Sequence, residues 1–70
     1  MINSTPAPPQ KSLEDSLIQV SDILRCASAA AYETGDALSG AKRDLAFSVV
    51  HLIDIARTRL DHSLEDVASR

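Results

Sequence analysis

The sequence predicts an all-α fold: an antiparallel two-helix hairpin that dimerises into a four-helix bundle. Three observations lead there. Apolar residues recur every three to four positions through two long segments, and Ser39-Gly40 breaks the pattern between them. The chain has 70 residues, 44% of them hydrophobic, yet Tyr32 and Phe47 are its only aromatics. Its apolar content is therefore Leu, Ile, Val and Ala at helical spacing, which suits helix-on-helix packing better than a sheet sandwich.

Residues 1–11 form a separate tail containing Pro6, Pro8 and Pro9. Proline lacks a backbone donor and biases its predecessor toward extended geometry, so a flexible or polyproline-like segment is expected. The PAPP run is read as a solubilising tail in preference to a ligand for a proline-reading domain.

The hairpin occupies residues 12–70. Its first helix is expected over about 13–38, with Ser12 as N-cap and Glu14 and Asp15 set against the positive end of the helix dipole. Leu13, Leu17, Val20, Leu24, Ala27, Ala31, Thr34 and Leu38 alternate in steps of four and three. Such a seam keeps facing a partner helix as the two wind together. Ile23, Ala30 and Ala37 widen it, and small residues dominate its second half. Gly35 either lies within the helix or ends it. Continuation is favoured, because Leu38 stays in phase with the seam.

The turn is placed at residues 39–40, with Ser39 capping a second helix over about 41–66. That helix carries Leu45, Val49, Leu52, Ile53, Ala56, Leu60, Leu64 and Val67, flanked by Ala46 and Val50. At 100° per residue the band spans roughly 160°. One neighbouring helix cannot cover so wide a band, and no disulfide or metal compensates for the small core. Self-association is the expected solution, most simply two hairpins in a symmetric bundle.

Several function classes are disfavoured. The apolar stretch LAFSVVHLIDIA (45–56) is too short to span a bilayer and is flanked by Asp44 and Arg57. Net charge is −3, and Lys42-Arg43 is the only basic cluster, which argues against nucleic-acid binding. A single cysteine and no export-signal pattern point to the cytoplasm.

No cofactor, metal ligand or catalytic residue is predicted, and the chain is not expected to be an enzyme. His51 and His62 lie about 16 Å apart along one helix, too far to share an ion. His51 and Asp54 project away from the apolar band and read as solvent-facing. Cys26 reads as a half-buried packing residue at the edge of the stripe, away from any helix N-terminus that would activate its thiol. Asp22 can pair with Arg25 and Asp54 with Arg57 along the helix surfaces. No glycine-rich phosphate loop is present.

The most suggestive feature is a second stripe on helix 2, formed by Phe47, His51, Ile55, Thr58 and His62. Large apolar anchors at this spacing suit either a docking helix or a homodimer interface, and the latter is preferred. Its two histidines would make either contact sensitive to pH near neutrality. Lys42 and Arg43 form a basic tip, read as a solvated turn or as a contact for an acidic partner.

The segments SLIQVSDILRCASAAAYE and DALSGAKRDLAFSVVHLIDIARTRLDHSLED resemble a family of short uncharacterised two-helix proteins common in pseudomonads. The resemblance covers about residues 13–67 and rests on CASAAAYE, the LSGAKRDLA turn and the VVHLIDIA helix. It implies a bacterial helical hairpin of unknown function and supplies no catalytic residues.

The resulting expectation is a small protein that works by protein–protein interaction, as a homodimer and with an unidentified protein partner possible. Two alternatives stand beside it. The hairpin could complete a larger helical assembly as a structural subunit, or act as an inhibitor that occludes another protein's dimer surface.

Overall fold

The computed structural model describes residues 10–69, and the proline-containing part of the predicted tail lies outside them. Two helices, α1 (Gln10–Asp36) and α2 (Gly40–Ala68), pack against one another as an antiparallel hairpin. Gln10 and Lys11 are good helix formers and belong to α1, so Ser12 falls inside the helix and not at its cap.

Helix α1 continues through Gly35 and ends one residue later, so the turn is Ala37-Leu38-Ser39, earlier than the expected Ser39-Gly40. The last turn tightens as it ends. The Ala37 N–H donates to the Glu33 and Thr34 carbonyls at 3.2 Å, and the Leu38 N–H donates to the Gly35 carbonyl at 3.1 Å. Ser39 occupies the N-cap position of α2 in extended geometry, but its side chain makes no capping hydrogen bond. The reversal falls instead to Gly40, whose φ of +65° lies in the left-handed region that side chains with a Cβ avoid.

Hydrogen bonds and one close approach define the register. Ser21, Ser28 and Gly35 follow one another at seven-residue steps along α1. Their counterparts Asp61, Asp54 and Phe47 do the same in reverse along α2. The α1 residues withdrawn from solvent along this line are Glu14, Leu17, Ser21, Leu24, Ser28, Ala31 and Gly35. On α2 they include Ala46, Val50, Ile53, Arg57, Leu60 and Leu64. Both sets alternate in steps of three and four, the period at which two long helices remain in contact.

This seam is rotated from the expected one. Leu17, Leu24 and Ala31 are common to both, whereas Val20, Ala27 and Thr34 remain exposed. The physical reason is size. Ser21, Ser28 and Gly35 allow the α2 backbone to approach, and the two hydroxyls satisfy the carboxylates brought in opposite them. Among the described residues Gly35 alone is buried. A Cβ there would stand 2.6 Å from Phe47 Cε1 and 3.1 Å from Ala46 Cβ. Glycine is needed here for proximity, since its backbone is helical.

Candidate interaction surface

The predicted surface residues separate into three places. Phe47 turns into the hairpin at the tip, half-buried against Gly35, its ring centroid 5.4 Å from that of Tyr32. Arg43 lies over the same ring, with Cζ 5.2 Å from its centroid and Nη2 3.7 Å from Asp36 Oδ1. These four side chains brace the turn. Cation–π and ion-pair contacts at exposed positions contribute modestly, on the order of 0.5–1 kcal/mol.

His51, Ile55, Thr58 and His62 line a shallow groove on the outer flank of α2, together with Asp54 and Arg59. The Thr58 hydroxyl is occupied by the Asp54 carbonyl at 3.0 Å, and Ile55 keeps 40% of its surface exposed. Lys42 lies elsewhere, in a groove across both helices lined by Ala31, Thr34, Leu38, Leu45 and Val49.

That third place is part of a larger face which the sequence pattern only hinted at. Steps of seven return to nearly the same side of a helix. From Thr34 they lead back to Ala27, Val20 and Leu13; from Leu45 they lead on to Leu52, and from Val49 to Ala56. Ile23, Leu45 and Leu52 remain 65%, 69% and 64% exposed. The band on α2 was the available signal: Leu45, Val49, Leu52 and Ala56 of it stay exposed beside α1.

On the opposite face Arg25, Ser28, Tyr32, Glu33, Asp54 and Arg57 meet around the apolar Ala29 and Val50. Arg25 pairs with Asp22 at 3.2 Å, as the i, i+3 spacing suggests. Asp54 forms no ion pair with Arg57; its Oδ1 accepts the Ser28 hydroxyl across the seam. Arg57 Nε is buried in the hairpin without an acceptor among the described residues. Cys26 is exposed and not half-buried, a result of the rotation of the seam away from it. The described residues hold no group of three or more His, Cys, Asp or Glu side chains that could bind a metal ion.

Residues 8–66 match a family described as a family of unknown function, DUF6124. The chain belongs to that family. The match covers all of α1 and α2 as far as residue 66, and the family has no assigned role. No curated protein and no solved structure matches the chain. Among the described residues, no helix is long and apolar enough to cross a membrane.

Proposed function

We propose that this DUF6124 chain acts by protein–protein interaction without chemistry of its own, two copies closing into a four-helix bundle through their apolar faces. The observation that carries this reading is the largely apolar side of the hairpin, with Ile23, Leu45 and Leu52 each about two-thirds exposed. Two helices about 40 Å long, side by side at about 10 Å, present a face on the order of 800 Å². That matches the roughly 800 Å² each partner contributes to a stable interface. The apolar part of that face is favourable to bury, at about 25 cal/mol per Å² before the costs of association.

The absence of chemistry is argued from form. The grooves are open depressions on a single layer of helices, where water would compete with any polar contact to a small substrate. Residence in the cytoplasm belongs to the same proposal and rests on the lone cysteine.

Sedimentation equilibrium combined with thermal unfolding tests the proposal. The expected result is a mass of two chains at micromolar concentration and a melting temperature that rises with concentration. A fully helical monomer with concentration-independent melting would overturn it.

A further inference from the structure

We infer that the apolar face is self-complementary: each copy seats its bulky half in the other copy's shallow half, so a second copy of this chain is the occupant. The inference rests on the interaction proposed above and specifies its geometry.

On each helix the largest apolar side chains of this face lie in the first half of the helix. On α1 one seven-residue ladder runs Leu13, Val20, Ala27, Thr34, and the next runs Ser16, Ile23, Ala30. On α2, Val49 gives way to Ala56 and Ser63 in the same manner. Leu45 and Leu52 lead to Arg59, whose long side chain can fold aside. Leu38 stands outside the ladders, in the turn beyond the end of α1.

The helices are antiparallel, so these two halves lie at opposite ends of the face. The bulk therefore lies on one diagonal of the face. Leu13, Val20 and Ile23 stand toward the open end of α1, and Leu45, Val49 and Leu52 stand toward the tip of α2. Ala27, Ala30 and Thr34 occupy the hollow beside the α2 bulk, while Ala56 and Ser63 occupy the hollow beside the α1 bulk. A two-fold axis lying in the plane of such a face, along the helices or across them, carries each bulky quadrant onto a hollow. A symmetric partner thus fills both hollows with one set of contacts, as isologous association requires. The groove lined by Ala31, Thr34, Leu45 and Val49 is one such hollow with its bulky rim, and Leu38 and Lys42 complete its lining toward the tip.

The test compares dimer dissociation by sedimentation for the full chain and three variants. Leu52→Asp places a charge on the bulky diagonal, and its dimer is expected to weaken at least about a hundredfold. Ala30→Leu fills a hollow while preserving helix propensity, and is expected to weaken the dimer at least about tenfold. Ile55→Asp, on the outer flank, is expected to leave the dimer unchanged. Should Leu52→Asp fail to fold, Ala30→Leu still decides the matter. A wild-type dimer indifferent to Ala30→Leu, or one lost through Ile55→Asp, would overturn the self-complementary face while leaving dimerisation intact. A folded wild-type monomer would overturn both.

Discussion

Ser28 Oγ donates to Asp54 Oδ1 across the two helices at 3.0 Å, and seven residues away Ser21 Oγ repeats the contact on Asp61 Oδ1 at the same distance. Two identical polar contacts one heptad apart fix the alignment of α1 against α2 more firmly than aliphatic packing could. Leucines tolerate a slip by one turn, whereas a hydroxyl and a carboxylate must meet within hydrogen-bonding distance. The contacts are unequal in setting. Ser21–Asp61 is half-buried, and Ser28–Asp54 is open to solvent.

That difference ranks two substitutions. Ser21→Ala leaves a half-buried carboxylate short of a donor and should cost about 1 kcal/mol, whereas Ser28→Ala should cost no more than about 0.5 kcal/mol. Chemical denaturation of the two variants measures the order, and equal or reversed costs would count against the register assigned here.

Gly35→Ala sets two effects against each other. Alanine gains up to about 1 kcal/mol of helix propensity, but its methyl enters the Phe47 ring, and overpacking costs about 1–3 kcal/mol. Net destabilisation is expected. In a Phe47→Ala background the clash disappears, so the same change should become neutral or stabilising. A double-mutant cycle without coupling would contradict the packing of Phe47 on Gly35.

Gly40→Ala should destabilise for a different reason. Among the described residues, no atom beyond the adjoining chain lies within 4 Å of the added methyl, so its cost is the left-handed backbone alone, on the order of 1 kcal/mol. Gly40→Asn should recover part of the loss, since asparagine visits this region more readily. Thermal melts of the two variants at equal concentration make the comparison.

Arg57→Met removes a buried Nε–H donor that has no acceptor among the described residues, while retaining an unbranched stem. The variant is expected to melt at or above the wild-type temperature, because an N–H held away from water without an acceptor opposes folding. A loss of several degrees would show that the guanidinium contributes contacts beyond those described.

The two-helix fold was legible because aliphatic spacing is a strong signal over segments of this length. The line along which the helices touch was harder to read. Ser21 and Ser28 look like surface residues and Gly35 looks like a break, so a pattern keyed to hydrophobicity passes over the three smallest contact positions. Their partners Asp54 and Asp61 are charged, which hides the seam from the other side as well. Phe47 shows the converse. Its size suggested a docking anchor, but its place is decided by a missing Cβ twelve residues earlier. The apolar face was legible only as excess width on α2, since periodicity shows which residues share a side but not how much of that side a neighbour takes.

The ladder of cross-helix contacts also orders the assembly of the chain in time. Phe47 and Gly35, nearest the turn, close the smallest loop; Ser28 and Asp54 are 26 residues apart, and Ser21 and Asp61 are 40. Each contact shortens the loop remaining for the next, so the entropy of closure is spent in small instalments. The hairpin should therefore close from its tip like a zipper, with the Tyr32, Phe47 and Arg43 cluster as nucleus. Damage at the tip would slow folding, whereas damage at the open end would chiefly hasten unfolding.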